Sequence, residues 1–170
     1  MHHTRRLLQT RKQSTTVKGV AVFKDAAIQG EVVIMNYKQG VMVRAKFTKL
    51  PPGPHGFHIH KAGDLRGEGC MGLCEHYDIG HHVHGAGPTS KKERHTGDLG
   101  NISLLAKQSY IQKSYYIKGS RVADLLGRSL IVHEGEDDLG KGGHDDSKTT
   151  GHSGKRMGCA IIGRALCSAK

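Results

Sequence analysis

Short segments in which apolar and polar residues alternate recur along this chain, and clusters of glycine and proline separate them. In Val41–Phe47 the odd-numbered residues are all apolar, whereas Met42, Arg44 and Lys46 share the other face. A period of two is typical of half-buried β-strands. Similar segments are Val17–Phe23, Glu31–Tyr37, Asn101–Leu105, Tyr115–Lys118, Ser129–His133 and Cys159–Leu166. We therefore predict an all-β chain of about seven or eight strands, arranged as an antiparallel sandwich or barrel.

Residues 61–97 and 134–156 interrupt this pattern with long, polar, glycine-rich sequence, apart from one predicted helical turn near Gly135–Gly140. Loops of this length in a compact domain are usually functional or disordered. These two hold most of the histidines, so we predict that they are functional. A mean hydropathy of −0.48 and the lack of an apolar run of about 20 residues exclude a membrane-spanning helix. We expect a single domain over residues 17–170.

Histidines are unusually frequent, and most of them are clustered. The chain has 13, and the cluster comprises His55, His58, His60, His76, His81, His82, His84 and His95. Such clustering indicates metal binding before any other function.

Individual positions in the cluster suggest two kinds of metal site. His58 and His60 alternate with Phe57 and Ile59, so both imidazoles emerge on one face of a predicted strand, and His133 could complete a set of ligands from another strand. Three imidazoles and one carboxylate suit zinc, and the chain offers His76, His84, His95 and Asp98 for it. Four imidazoles would suit a copper ion that cycles between oxidation states.

Several strings in this chain, in this order, resemble those of the copper/zinc superoxide dismutase family. They are HGFHIH (55–60), HGAGP (84–88), ERHTGDLGN (93–101), VHEGEDDLGKGG (132–143) and GHSGKRMGCAIIG (151–163). The resemblance covers about residues 17–167. It implies an eight-stranded Greek-key β-barrel or sandwich with a metal-binding loop and an electrostatic loop.

The resemblance also implies a role for particular residues. The implied copper ligands are His58, His60, His76 and His133. The implied zinc ligands are His76, His84, His95 and Asp98, with His76 bridging the two ions; His81 and His82 remain competitors for the place of His84. Asp137 would link a copper-ligand histidine to a zinc-ligand histidine through hydrogen bonds. Arg156 would hold an anionic substrate beside copper, Lys141 and Lys148 would steer it, and Cys70 and Cys159 would form a disulfide.

The implied activity is dismutation of superoxide to dioxygen and hydrogen peroxide, with His76 and Arg156 as catalytic residues. A catalytically silent homologue that binds metal or captures a copper chaperone is the alternative. The implied partners are superoxide, a second copy of the chain in a homodimer, and a copper chaperone. Cys74 and Cys167 have no counterpart in the family.

The first sixteen residues form a basic segment without acids, which we expect to be a flexible extension. The formal net charge of the chain is +11, so an anionic partner is favoured. Nucleic-acid binding by this segment is an accessory hypothesis that rests on phosphate contacts alone, because it lacks aromatic residues. The segment also lacks the apolar centre of a secretory signal, which favours a cytoplasmic location over the alternative of a transit peptide.

Overall fold

A computed structural model of the chain describes residues 18–90 and 93–166. Within these residues the strands are β1 (Lys18–Lys24), β2 (Gln29–Tyr37), β3 (Gly40–Lys49), β4 (His55–His60), β5 (Asp98–Ile102), β6 (Ile111–Lys118), β7 (Ser129–His133), β8 (Arg156–Ile161) and β9 (Gly163–Arg164). The helices among them are a short α1 (Val122–Leu125) and a 3₁₀ turn (Met71–Leu73).

The strands form two antiparallel sheets. The five-stranded sheet has the order β6-β3-β2-β1-β9, and the four-stranded sheet has the order β5-β4-β7-β8. The chain crosses between the sheets after β3, β5, β6 and β8. β9 is separated from β8 by Ile162 alone and pairs with β1, so a single segment of chain joins one edge of each sheet.

The core lies between the two sheets and follows from the alternation in the sequence. In β3 the side chains of Val41, Val43 and Phe47 are fully buried, whereas Arg44 and Lys46 face solvent. The Phe47 ring lies 5.2 Å from the ring of Phe23 in its own sheet and 5.7 Å from that of Phe57 in the opposite sheet. Each such apolar side chain contributes about 1.5–3 kcal/mol on burial. The predicted all-β fold is confirmed.

Two local predictions were wrong. The strand predicted at Asn101–Leu105 lies at Asp98–Ile102, because Asp98 pairs with His58 on β4 while Leu105 is exposed to solvent. The helical turn predicted near residues 135–140 is absent from this described segment. Its backbone bonds instead to the returning loop, through Gly135 N to Ser153 O and Asp138 N to Gly151 O.

The basic segment 1–16 and Cys167 lie outside the described residues, so the predictions made for them stay predictions. Among residues 18–90 and 93–166, no helix is long and apolar enough to cross a membrane.

Candidate metal centre

Strand β4 carries two histidines on the face away from the core. Phe57 and Ile59 point into the core, and His58 and His60 are buried on the other face. One nitrogen of each ring is held: His60 Nδ1 donates to the carbonyl of Cys74 at 2.8 Å, and His58 Nε2 lies 2.9 Å from a carboxylate oxygen of Asp137. A contact at one nitrogen therefore fixes the orientation of each ring.

His76 is brought to β4 by main-chain pairing rather than by a strand of its own. Lys61 N bonds to the carbonyl of Glu75 and Tyr77 N bonds to the carbonyl of Ile59, so His76 lies opposite His60. Gly97 completes this packing, because a Cβ there would collide with the carbonyl oxygen of Ile59. The His76 ring centroid is 4.1 Å from that of His58 and 4.8 Å from that of His60.

His133, at the end of β7, joins these three rings. Its Nδ1 bonds to the carbonyl of Gly154 at 3.1 Å, and its ring centroid is 4.9 Å from that of His58. One ligand atom from each of the four lies within 4.8 Å of the others. We call this the first group: His58, His60, His76 and His133.

A second group adjoins the first and shares His76 with it. It consists of His76, His84, His95 and Asp98, whose ligand atoms also lie within 4.8 Å of one another. Oδ1 of Asp98 lies 2.8 Å from His76 Nδ1, 3.0 Å from His84 Nδ1 and 3.4 Å from His95 Nδ1. The other oxygen, Oδ2, accepts the backbone N–H groups of Gly85 and His95, each at 3.0 Å.

The first group fits a metal ion by its unpartnered nitrogens. Among the described residues, one buried nitrogen of each of its rings lacks a hydrogen-bond partner: His58 Nδ1, His60 Nε2, His76 Nε2 and His133 Nε2. In the second group, His84 Nδ1 and His95 Nδ1 lie against Asp98 Oδ1. A buried polar atom without a partner costs about 1–3 kcal/mol, so four in one place require an explanation. Coordination supplies it, because neutral imidazole binds metal through such a lone pair.

The spacing in the second group also suits a small tetrahedral ion. Bonds of about 2.0–2.1 Å to nitrogen or oxygen place the ligand atoms of a tetrahedral site about 3.3 Å apart. The three contacts of Asp98 Oδ1, from 2.8 to 3.4 Å, lie around this value. One carboxylate and three imidazoles is therefore a donor set that fits zinc in both chemistry and size.

Burial and charge oppose each other in the electrostatics of the two groups. In the first group, burial lowers the pKa of His58 to about 3 and that of His133 to about 4, so these rings stay neutral. In the second group, burial opposes the protonation of His84, but hydrogen bonds to Asp137 and Asp98 outweigh it and raise its pKa to about 9. Contacts with His76, His84 and His95 lower the pKa of Asp98 despite its burial. Asp98 thus stays ionised, and its negative charge is balanced by a proton on His84 in the metal-free protein and would be balanced by a cation in its place.

Asp137 connects the two groups directly. Its Oδ2 accepts from His58 Nε2 at 2.9 Å and its Oδ1 accepts from His84 Nε2 at 2.8 Å. Asn101 holds its backbone on both sides, by bonds of 2.7 and 2.8 Å. Gly151, with φ +70°, packs closely against Asp137 and His84. A Cβ at this position would collide with Asp137 Oδ1 and His84 Nε2.

Arg156 lies at the start of β8 and is anchored to the disulfide loop. Cys70 and Cys159 form the disulfide that the resemblance implied, with Cα atoms 6.0 Å apart. Nη1 of Arg156 donates to the carbonyl of Cys70 at 2.9 Å, and Nη2 donates to that of Cys74 at 2.5 Å. The carbonyl of Cys74 also accepts from His60, so one oxygen links Arg156 to the first group.

The remaining predicted residues lie around the second group. Lys148 Nζ donates to the carbonyl of Gly140, and Lys141 and Lys148 line a cavity of about 300 Å³ together with His84. His84, rather than its competitors, joins the second group, because the His82 ring bonds to Asp78 and His81 is exposed.

Sequence reasoning missed three residues that shape the loop. Asp78 accepts the N–H groups of His82 and Thr96. Arg94 donates to three backbone carbonyls, those of residues 95, 96 and 98. The third is Asn101. Asp78 and Arg94 bond to main-chain groups, and Asn101 bonds to residue 137, far away along the chain. Neither kind of partner leaves a pattern in the sequence, so the only signal was that these polar residues occur close to the candidate ligands.

Fold and site together define a class of protein: a β-sandwich with two adjoining sites for metal ions that share one histidine. Comparison with known proteins identifies the class. The family model of copper/zinc superoxide dismutase matches residues 28–162, and the chain belongs to this family.

Individual relatives agree. The superoxide dismutase [Cu-Zn] of Paramecium bursaria Chlorella virus 1 is 41% identical over 153 residues, which are 88% of this chain and 79% of the relative. Superoxide dismutase [Cu-Zn] 3 of Arabidopsis thaliana is 46% identical over 123 residues, 71% of this chain and 73% of the relative. A crystal structure of the clock protein EA4 superposes with a TM-score of 0.77 at 35% identity and covers 97% of this chain and 100% of that chain.

Proposed function

We propose that this protein dismutates superoxide, with copper held by the first group and zinc held by the second. Two superoxide radicals and two protons give one dioxygen and one hydrogen peroxide, so one radical is oxidised and the other is reduced. Copper supplies the one-electron redox chemistry when it is bound, and zinc supplies fixed positive charge. The four unpartnered imidazole nitrogens of the first group are the observation that carries this proposal.

His76 is the residue that belongs to both groups. Its Nδ1 lies 2.8 Å from Asp98 in the second group, while its Nε2 is buried and without a partner in the first. Asp98 therefore fixes the ring, and Nε2 is the atom placed to hold a proton and pass it to a reduced substrate. This geometry supports the assignment of His76 as the bridging ligand and proton donor.

Arg156 is placed to hold the anion. Bonds to the carbonyls of Cys70, Met71 and Cys74 use three N–H groups of the guanidinium. Arginine has five such donors in a rigid fork, so two remain to bind a small anion by charge-assisted hydrogen bonds. Lys141 and Lys148 add positive field, and the net charge of +11 favours the approach of an anion.

The test is superoxide consumption per bound copper atom, measured on the full chain reconstituted with copper and zinc. We expect a rate near the diffusional limit that falls with added salt, because steering of an anion is screened. Tight copper binding without turnover would reject the proposal and favour the silent homologue.

We also propose a homodimer and delivery of copper by a chaperone. Exposed apolar side chains on the disulfide loop support both, because Leu65 and Met71 are 52% and 71% exposed. Light scattering of the metal-loaded chain tests the dimer: a monomeric mass at micromolar concentration rejects it.

A further inference from the structure

The outer face of the five-stranded sheet carries a strong excess of positive charge. Its outward-facing cations are Lys18, Lys24, Arg44, Lys46 and Lys118. The only acidic residue in the strands of this sheet is Glu31. Both groups of candidate metal ligands lie on the other sheet and its loops, so this charge is separate from the metal centre. Such a face attracts anionic partners.

A groove of about 250 Å³ lies on this face, formed by β2, β3 and β6. Its lining includes the charged Arg44, Lys46 and Glu31 and the apolar Val33 and Met35. The guanidinium of Arg44 makes no hydrogen bond or ion pair within residues 18–90 and 93–166. Its five N–H donors are therefore free to bind an anion, and their planar fork matches the geometry of a phosphate group.

Exposed tyrosines stand at both ends of β6, beside this groove. Tyr110, which directly precedes β6, is 50% exposed, and Lys46 Nζ lies 4.9 Å from the centroid of its ring. Towards the other end, Tyr37 is 44% exposed and contacts Tyr116 edge to face, with ring centroids 6.1 Å apart. Arg44 lies between the two ends in the register of β3 with β6. Cations and aromatic rings therefore occur together along this side of the sheet.

The length of this arrangement suits a single strand of nucleic acid. From Tyr110 to Tyr116 the chain advances six residues, or about 20 Å in an extended strand. A nucleic-acid strand that rises about 3.4 Å per nucleotide covers this distance with about six nucleotides. We propose that this face binds single-stranded nucleic acid without sequence preference. Tyr110 and Tyr116 offer rings on which bases stack, and Arg44 and Lys46 bind the phosphates between them.

The tyrosines distinguish a single strand from other polyanions. Duplex DNA and vesicles of anionic lipid offer the same phosphate chemistry to Arg44 and Lys46. A duplex keeps its bases stacked on one another, however, and a lipid surface has no bases. The basic segment 1–16 also lacks aromatic residues, so binding there rests on phosphate contacts alone and gives Tyr110 no role.

Fluorescence anisotropy of a labelled octathymidylate tests the proposal on the full chain loaded with copper and zinc. We expect Tyr110→Leu to weaken binding about tenfold through the loss of stacking, whereas Tyr110→Phe keeps the aromatic face and should bind as the wild type does. The double variant Arg44→Gln/Lys46→Gln should lower the slope of log affinity against log salt by about 1.4, since two phosphate contacts are lost.

The matched control is Lys141→Gln/Lys155→Gln. It removes the same charge as the double variant, from two exposed positions on the loop between β7 and β8. We expect its affinity for octathymidylate to stay within about twofold of the wild type and its salt slope to be unchanged, because neither lysine contacts the bound strand. Coincident melting temperatures establish that all variants are folded.

Three results would overturn the proposal. If Arg44→Gln/Lys46→Gln binds octathymidylate no more weakly than the control does, binding belongs to another basic part of the chain. If Tyr110→Leu weakens the binding of duplex DNA as much as that of octathymidylate, no base stacks on the ring. If the same variant weakens the binding of phosphatidylserine vesicles equally, the face docks on a lipid surface instead.

Discussion

Cys74 has a backbone conformation that suits glycine. Its φ is 59° and its ψ is −159°, a region that residues with a Cβ rarely enter and that costs about 1–3 kcal/mol. The surroundings enforce it, because the Cys74 carbonyl accepts hydrogen bonds from both His60 and Arg156. Strain at this residue is therefore coupled to the orientation of a metal-ligand candidate and of the anion-binding candidate.

Replacing Cys74 with glycine should stabilise the protein. Glycine removes the strain, and after its greater freedom in the unfolded chain is subtracted the gain is about 1 kcal/mol. Cys74→Ala is the matched control, since it also lacks the thiol but keeps the Cβ. Thermal unfolding should rank Cys74→Gly above Cys74→Ala; equal melting temperatures would show that the backbone is unstrained.

Arg156 should affect the rate and not the metal content. Arg156→Ala removes the proposed anion-binding fork, so we expect copper and zinc to be retained and the rate at low superoxide to fall by about tenfold. Arg156→Lys keeps the charge without the fork and should recover part of the rate. An unchanged rate in Arg156→Ala, measured by rapid-mixing kinetics, contradicts the role.

Asp137 should control zinc affinity through His84. Asp137→Asn keeps the shape of the side chain but places an amide N–H₂ against one of the two rings. Loss of such an orienting carboxylate typically weakens metal binding by about 10–100-fold. Competition with a zinc chelator measures the effect, and Asp138→Asn, one residue away and bonded to Ser147 and Gly140, should stay within twofold of the wild type.

At the scale of elements, the sequence predicts the strands well and the loops poorly. Alternation in β4 is local, so the order of residues is enough to place His58 and His60 on one face. The position of His76 depends on the bond between Tyr77 N and the carbonyl of Ile59, which involves no side chain and leaves no pattern in the sequence. The donor set of the loop offered His76 as a zinc ligand, but only the motif resemblance assigned it to both groups, and nothing assigned the supporting role of Asn101.

The disulfide joins the 3₁₀ turn to β8 across 89 positions of sequence. Closing a loop of this size restricts the unfolded chain and contributes about 2–5 kcal/mol. The double variant Cys70→Ser/Cys159→Ser should lose this amount in urea unfolding, and it leaves no partner at these sites for Cys74. Cys74→Ser keeps the disulfide and is the control; equal unfolding midpoints for the two proteins contradict the prediction.

At the scale of the whole molecule, the metal-free protein should be most stable near pH 6.5. Burial holds the pKa of His58 at about 3 and that of His133 at about 4. The unfolded chain takes up these protons below about pH 6.5, so acid favours unfolding down to about pH 4. His84 has the opposite effect, because its pKa is raised to about 9. Its contribution is complete below pH 6.5 and is lost as the pH rises through 9.

Melting temperatures of the metal-free chain from pH 4 to 10 measure this dependence. We expect a maximum near pH 6.5 and a loss of a few kcal/mol on each side, given about 1.4 kcal/mol for each unit of pKa shift. A melting temperature that is constant between pH 7 and pH 5 would contradict the burial of neutral histidines.

The two groups differ in the secondary structure that carries their ligands, and this difference affects how quickly each group exchanges its ion. His58, His60 and His133 stand on β4 and β7 in the four-stranded sheet, whereas His76, His84 and His95 stand on the loop before β5. Loops open by local fluctuation, while core strands separate only when the whole protein unfolds. Three of the four candidate zinc ligands therefore move when this loop opens, but only His76 of the four candidate copper ligands does, so zinc should exchange faster than copper.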